Sequence, residues 1–205
     1  MAVEWLYLET NYLMGVATGR YPLAEDLLVK RPTSVHLAIP EVCYMEAIAA
    51  FESLQSRRNQ FATALDDERM QLREGIHSPG ALRLISQLET ARLESTNLTN
   101  EFWDRLSSAM DQLAFVARGL PASAKIIRWS AKNQACAQPT DNLILHVIAD
   151  HAAKRKEAKT FFTANDRDFV SELPRRILGH AGIGPILNSY DGLVNWLASR
   201  GQSAS

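Results

Sequence analysis

The chain has 205 residues, 46% hydrophobic and 22% charged, so it can bury a large core and is neither disordered nor fibrous. Its formal net charge of −1 at pH 7 excludes a uniformly basic nucleic-acid-binding protein, while a local basic patch stays compatible with it. Two widely separated cysteines, Cys43 and Cys136, argue against a disulfide framework or a cysteine zinc site and favour a reducing compartment. No apolar run approaches the roughly 20 residues of a membrane span, and the N-terminus lacks a basic signal region, so we expect a cytoplasmic protein without membrane contact.

Four short apolar runs, separated by helical patterns, predict buried strands. They are residues 4–8, 35–39, 160–164 and 184–188. A fifth run at 125–129 fits either a strand or a turn of helix. Short apolar strands that alternate with helices are typical of a parallel sheet with crossover helices.

Prolines and small polar residues mark the expected helix boundaries. Pro40 is expected at the first position of the helix after the second strand, because its missing N–H costs nothing there. Ser78, which precedes a proline, predicts the start of another helix, and Thr140 is expected to cap a helix over 141–156. Residues 189–200 predict a closing amphipathic helix.

The middle of the chain departs from this alternation. Apolar residues recur every three or four positions over 51–73 and again over 82–118, with a Gly/Pro turn between the two segments. These patterns predict two long helices paired as an antiparallel hairpin. In the second helix the expected contact stripe is Leu84, Leu88, Ala91, Ser95, Leu98, Phe102, Leu106, Ala109, Leu113 and Val116.

We therefore expect one domain over residues 1–205. Its α/β body would comprise 1–50 and 121–205, with the helical hairpin inserted at 51–120. Two roles stay open for the hairpin: it packs along the body as additional core, or it offers a surface to a partner.

Five acidic residues follow the predicted strands or lie in the helices between them. They are Glu9, Glu46, Asp141, Asp166 and Asp168. Parallel strands end at the same edge of a sheet, so these acids are expected to gather there. Clustered oxygen ligands bind hard cations such as Mg²⁺ or Mn²⁺, which lower the pKa of a bound water and stabilise charge that grows on a phosphodiester. Taken singly, each acid also fits an ordinary role as a helix cap or a solvated turn.

Glu46 is the acid with the least ordinary surroundings. Its neighbours in the sequence, Val42, Cys43, Met45 and Ile48, are apolar. A carboxylate on an apolar helix face is costly unless it is paired or binds a metal.

The order and spacing of these residues resemble the PIN domain, the metal-dependent nuclease fold that VapC-type toxins also use. The family opens with a strand that ends in Asp-Thr-Asn, and the corresponding residues here are Glu9, Thr10 and Asn11. It carries a Glu on the helix that follows a strand end of the type Ile-Pro-Glu, which corresponds to Glu46. Its third motif is an Asp at the start of an apolar helix, which corresponds to Asp141.

The fourth family motif is Thr-x-Asp or Thr-x-Asn followed by Asp-Phe. Here it corresponds to Thr163, Asn165, Asp168 and Phe169. Two departures stand out: Glu9 is one methylene longer than the usual Asp, and Asn165 replaces the usual acid. The resemblance covers the α/β body and leaves out the hairpin.

The resemblance implies a three-layer α/β/α sandwich with a central parallel sheet and an Mg²⁺- or Mn²⁺-dependent ribonuclease that leaves a 5′-phosphate and a 3′-hydroxyl. The implied catalytic acids are Glu9, Glu46, Asp141 and Asp168. Asn165 and Asp166 would help to bind the metal. Thr10, Asn11 and Thr163 would orient the ligands or the substrate, and Arg128 and Lys132 would contact RNA.

Two functions stay open at this stage. The first is a toxin-like endoribonuclease with an RNA substrate, an antitoxin-like protein partner and a homodimeric form. The second is a degenerate, non-catalytic PIN-like module that binds protein or RNA. His146 and His151 would allow a zinc site in principle, but they lack the His-Glu-x-x-His spacing, so a structural role is favoured.

Overall fold

Five parallel strands form the centre of the molecule. The computed structural model describes residues 3–20, 27, 30–75, 78–164 and 167–201. Within these residues the strands are β1 (Glu4–Tyr7), β2 (Val35–Pro40), β3 (Ala117–Leu120), β4 (Ala158–Phe162) and β5 (Ile186–Leu187). They pair in the order β3-β2-β1-β4-β5.

Helices cover both faces of this sheet. They are α1 (Thr10–Ala17), α2 (Val42–Gly75), α3 (Pro79–Val116), α4 (Ala124–Lys132), α5 (Pro139–Ala153), α6 (Glu172–His180) and α7 (Tyr190–Gly201). Contacts group α1 with α2 and α3, and α5 with α4 and α6. With the strand order and the usual right-handed crossover of parallel strands, these two groups lie on opposite faces. The predicted three-layer α/β/α architecture is therefore confirmed. Among the helices that the structure describes, none combines the length and the hydrophobicity of a membrane span.

The register of β1 decides which residues emerge at the carboxyl edge of the sheet. Tyr7 is the last paired residue of β1, opposite Ala38 of β2 on one side and Phe161 of β4 on the other. Glu9 and Thr163 therefore both lie two residues beyond a paired position. The residues of both strands that lie just before this edge are in the core, since Tyr7 and Phe161 are fully buried.

Four of the predicted strands are observed, with ends shifted by a few residues. Of the two alternatives for residues 125–129, the helical one is observed: they lie in α4, where Ser123 caps the helix by accepting a hydrogen bond from the backbone N–H of Ile126 at 3.3 Å. The remaining strand is β3, which starts at Ala117 directly after the end of α3. It forms because residues 117–120 pair with β2, a contact that helical periodicity does not reveal.

Two of the predicted helix starts, at Pro40 and Thr140, were wrong. Pro40 is the last residue of β2, opposite Leu120, and α2 begins only at Val42. Thr140 lies inside α5, whose N-cap is Gln138 and whose first residue is a proline. The prediction at Ser78 is confirmed, since its Oγ accepts a hydrogen bond from the N–H of Ala81 at 3.1 Å.

The two long helices pair as the predicted antiparallel hairpin. Ion pairs join Arg73 to Glu89 at 2.8 Å and Arg92 to Asp66 at 2.7 Å, which sets the register of the distal half. The predicted stripe of α3 is displaced there. Ile85 and Thr99 are buried. By contrast, Leu84 is 39% exposed and Leu98 is 36% exposed.

The proximal part of the hairpin belongs to the main core. Phe51, Leu106, Ala109 and Leu113 are buried within the same hydrophobic cluster as the strands. The predicted insertion at 51–120 therefore contains core residues and the whole of β3. The projecting part of the hairpin is shorter than the sequence pattern indicated.

Candidate active site at the carboxyl edge of the sheet

Glu9 is a buried acid at the junction of β1 and α1. Its side chain is only 2% exposed. Oε2 accepts a hydrogen bond from the backbone N–H of Asn11 at 2.6 Å, so Glu9 is the N-cap of α1. The backbone of Asn11 makes this contact, and its carbonyl oxygen also accepts from the hydroxyl of Tyr190 at 3.3 Å. The Glu9 carboxylate is therefore held at the positive end of the α1 dipole.

Thr10 connects α1 to the second predicted acid. Its buried hydroxyl donates a hydrogen bond to Oε2 of Glu46. Glu46 is half-buried, and the side chain beside it, Met45, is 67% exposed. The expected wholly apolar surroundings of Glu46 are therefore only partly present, and a polar contact from another helix compensates for its burial.

Cys43 lies between the two acids, and the sequence analysis gave it no role. Burial raises the pKa of the Cys43 thiol well above its usual value, and the charges of Glu9 and Glu46 raise it further. The thiol is also hydrogen bonded to Thr10. The charges of Glu9, at the end of β1, and Glu46, on α2, thus both favour the protonated form of this buried thiol. Cys43 therefore gives no thiolate ligand at neutral pH.

Asp141 lies in the first turn of α5 and is half-buried. α5 leads into β4, so its N-terminus lies at the carboxyl edge, where α2 also begins, and the two helices are in contact. The next residue, Asn142, is a structural residue that the sequence analysis missed. Its buried amide donates to the carbonyl of Ser130 at 2.8 Å and accepts from the N–H of Ala135 at 2.8 Å. A polar residue within the apolar run of α5 was the available signal.

The loop after β4 carries the fourth predicted motif. Thr163 is fully buried, and among the described residues its Oγ1 has no hydrogen-bond partner. Ala164 follows with φ of 31°, in the left-handed region that side chains other than glycine rarely adopt. Asp168 is half-buried, and the next residue, Phe169, anchors it by packing edge-on against Phe161 at 5.2 Å between ring centroids. Asn165 and Asp166 lie outside the described residues.

The structure thus brings Glu9 and Glu46 together through Thr10 and Cys43. Within the described ranges, which leave out Asn165 and Asp166, no three His, Cys, Asp or Glu side chains are arranged as a group that could hold a metal ion. The groups present at this edge are carboxylate oxygens, a protonated thiol and the buried hydroxyl of Thr163. This donor chemistry fits a hard cation such as Mg²⁺ or Mn²⁺ better than a soft one.

The predicted RNA contacts lie on α4. Arg128 and Lys132 are both exposed on this helix, and Trp129 between them is 58% exposed. Such an arrangement suits contact with phosphates and with an unstacked base.

Both histidines of α5 are held by structural contacts. Nε2 of His146 lies 2.9 Å from the carbonyl oxygen of Asn133, and Nδ1 of His151 lies 2.9 Å from the hydroxyl of Tyr7. Each ring therefore makes one structural contact, in line with the structural role favoured by the sequence.

The family model of the PIN domain matches residues 6–169, a span that runs from β1 to the Asp168-Phe169 pair. The chain belongs to the PIN domain family. The match also includes the hairpin, which the motif-based resemblance had left out. The chain has no significant match among curated proteins or among solved structures.

PIN domains are generally nucleases and typically use divalent metal ions. The matched span contains Glu9, Glu46, Asp141 and Asp168, and it excludes α6, β5 and α7. In this PIN domain, Glu9 follows β1, the first strand of the matched span, and the backbone N–H of Asn11 binds its carboxylate.

Proposed function

We propose that this PIN domain is a ribonuclease that depends on Mg²⁺ or Mn²⁺ and hydrolyses RNA phosphodiester bonds at the carboxyl edge of its sheet. The observation that carries the proposal is the convergence of Glu9 and Glu46 around Thr10 and Cys43. Both carboxylates lie close enough to Cys43 to raise the pKa of its thiol, and a cation bound between them would offset their mutual repulsion.

Each of the named residues has a distinct part in this proposal. Glu9, Glu46, Asp141 and Asp168 would hold the metal ion, with Asn165 and Asp166 as further oxygen donors. Mg²⁺ or Mn²⁺ supplies an acidified water and stabilises negative charge on the phosphate. Thr10 fixes one oxygen of Glu46 through its hydroxyl, and Asn11 fixes one oxygen of Glu9 through its N–H.

Two further groups would act on the RNA. The Thr163 hydroxyl is buried beside this edge and offers a donor to a ligand or to the substrate. Arg128 and Lys132, both exposed on α4, would contact phosphates of the RNA. The toxin-like role, an antitoxin-like partner and a homodimer are proposals that rest on the resemblance to VapC-type toxins. A cytoplasmic location is a proposal that rests on the composition of the sequence.

Cleavage of a fluorescent single-stranded RNA in Mn²⁺ tests the proposal. Glu46→Gln and Asp141→Asn are expected to abolish cleavage while the thermal melt stays cooperative. Two matched controls make the same chemical change at exposed positions: Glu52→Gln, also on α2, and Asp191→Asn, also in the first turn of a helix. Both controls are expected to cleave like the wild type. Undiminished cleavage by either test variant would remove that residue from the site.

A non-catalytic PIN module is the second candidate, and a specific contact favours it. The Glu9 carboxylate already has a structural role as the N-cap of α1, so its burial does not by itself require a metal. Titration of Mn²⁺ into the purified protein separates the candidates. A nuclease binds the ion and loses that binding in Glu46→Gln, whereas a scaffold binds no ion and gives no cleavage with any RNA.

A further inference from the structure

A basic pocket lies at the opposite, amino-terminal end of the strands. Its cavity has a volume of about 340 Å³ and is lined by residues that include Trp5, Arg31, Thr33, His36, Val116 and Arg118. Trp5 pairs with His36 across β1 and β2, and Arg118 pairs with Ala38, two residues further along β2. Because side chains alternate along a strand, Trp5, His36 and Arg118 share one face of the sheet. We name this cavity the Trp5 pocket.

Trp5, which lines the pocket, belongs to a cluster of buried nitrogen atoms that lack hydrogen-bond partners among the described residues. Trp5 is 7% exposed, and its Nε1 is buried without a hydrogen-bond partner among the described residues. The same holds in the described part of the chain for Nε of Arg155 and Nε2 of His151. These three atoms belong to one cluster, since Arg155 stacks on the Trp5 ring at 5.3 Å and the His151 ring lies 5.2 Å from it. A buried donor without an acceptor is costly, which points to an acceptor that completes this cluster.

The charges around the cluster are mainly positive. Arg118 and Arg155 both lie close enough to lower the pKa of His151, as does Lys154. Of the two nearby acids, Asp150 forms an ion pair with Lys154 at 2.5 Å, and the carboxylate of Glu157 accepts the N–H of Lys156 at 2.9 Å. The acceptor that suits this environment is an anion. Guanidinium groups bind phosphate through two parallel hydrogen bonds, which makes phosphate the best-matched anion.

We propose that the Trp5 pocket binds a phosphate group, held by Arg31, Arg118 and the indole N–H of Trp5. The pocket is separate from the candidate active site. Trp5 precedes Glu9 by four residues, so the two positions lie roughly 13 Å apart along the strand. A phosphate here would come either from free inorganic phosphate or from the end of an RNA chain.

Nuclear magnetic resonance of the indole N–H of Trp5 tests this binding without any metal or cleavage. The Trp5 resonance is assigned from the spectrum of Trp5→Phe, and inorganic phosphate is then titrated in the presence of a chelator. We expect a saturable shift of this resonance in the wild type. Arg118→Gln and Arg31→Gln are expected to weaken binding by roughly tenfold or more, since each removes a charge-assisted hydrogen bond. The matched control Arg83→Gln, at an exposed position of α3, is expected to bind like the wild type.

Three results would overturn the proposal: a Trp5 resonance that does not move, an equal response to chloride at the same ionic strength, or unchanged binding by both Arg118→Gln and Arg31→Gln. A 5′-phosphorylated oligoribonucleotide and its 5′-hydroxyl counterpart distinguish the sources. Tighter binding of the phosphorylated RNA that depends on Arg118 supports an RNA end as the ligand. Equal binding of the two RNAs, with a response to inorganic phosphate retained, supports free phosphate.

Discussion

The hydroxyl of Thr10 donates a hydrogen bond to Oε2 of Glu46, which joins the first residue of α1 to a residue of α2 that follows it by 36 positions. Through this contact, the strand end that carries Glu9 and the helix that carries Glu46 are held in one relative position. The same Thr10 is hydrogen bonded to the thiol of Cys43, which lies one turn before Glu46 on α2. Thr10 is therefore placed to orient the carboxylates of this PIN domain, although it has no charge of its own.

Replacement of Thr10 by Val tests this positioning role. The change keeps the shape of the side chain and removes the donor, so the Glu46 carboxylate loses a partner. We expect Mn²⁺ affinity and RNA cleavage to fall by roughly 10- to 100-fold, as is usual when a group that orients a metal ligand is lost. Thr10→Ser restores the hydroxyl and is expected to recover most of both. If Thr10→Val bound Mn²⁺ like the wild type, the hydrogen bond would serve folding alone.

Glu9 has two roles that substitution can separate. Glu9→Gln keeps an oxygen that accepts the N–H of Asn11 and removes the charge, so the cap survives while metal binding is expected to fail. Glu9→Ala removes both and is expected to cost about 1 kcal/mol of helix-capping free energy in addition. Glu9→Asp keeps the charge and remains a good N-cap, so we expect it to retain Mn²⁺ binding.

Isothermal titration of Mn²⁺ and thermal denaturation, applied to the same three variants, measure the two roles of Glu9. Wild-type Mn²⁺ affinity in Glu9→Ala would show that Glu9 is a cap and no ligand. A Glu9→Gln protein as unstable as Glu9→Ala would instead mean that the charge, rather than the accepted hydrogen bond, stabilises α1.

The hairpin can be shortened only beyond its core residues. Replacement of 59–101 by a short Gly/Ser loop joins the helices where Arg58 stacks on Phe102 at 5.2 Å, and it keeps Phe51, Leu106 and Ala109. We expect this variant to lose helical circular dichroism and to keep a cooperative melt. The longer replacement of 56–112 removes Leu106 and Ala109 from the core and is expected to aggregate, because loss of large buried side chains costs about 2–5 kcal/mol each. Cooperative folding of the longer deletion would show that the whole hairpin is dispensable.

His151 makes stability depend on pH. Burial, followed by the charges of Arg155, Arg118 and Lys154, lowers the pKa of His151 from 6.5 to about 4. Between these two pH values the unfolded chain binds a proton that the folded chain rejects, so the free energy of unfolding decreases as the pH falls. We expect His151 to lower the free energy of unfolding by about 1–2 kcal/mol over this pH range. This is less than the full pKa shift implies, because the ring is only half-buried.

Urea denaturation at a series of pH values measures this contribution. His151→Gln cannot titrate, so the difference between its curve and the wild-type curve should develop between pH 6.5 and pH 4. The exposed His180→Gln is the matched control and is expected to follow the wild type. Parallel curves for wild type and His151→Gln across this range would contradict the assignment.

Local sequence patterns alone determined most of the strands, the edge of the sheet that carries the acids, and the helical hairpin. Short apolar runs predicted four of the five described strands, since strands of a sheet covered on both faces are apolar throughout. The parallel order then placed Glu9 and Asp168 at one edge, because all parallel strands end there. The Ser78 cap and the pairing of two long helices also followed from local signals, namely a side-chain hydrogen bond and a repeat of three to four residues.

Tertiary contacts decided the position of β3, the rotation of α3 and the contacts between side chains that lie far apart in the sequence. The helical pattern extends to residue 118, yet residues 117–120 form a strand because they pair with β2. Ile85 is buried and Leu84 is partly exposed, because the packing of α3 against the rest of the fold sets its rotation. The contact of Thr10 with Glu46 spans two helices, and the cluster around Trp5 gathers side chains from β1 and from the region of α5. Hydrogen bonds and burial between such distant segments arise only when the chain has folded, since no local periodicity encodes them.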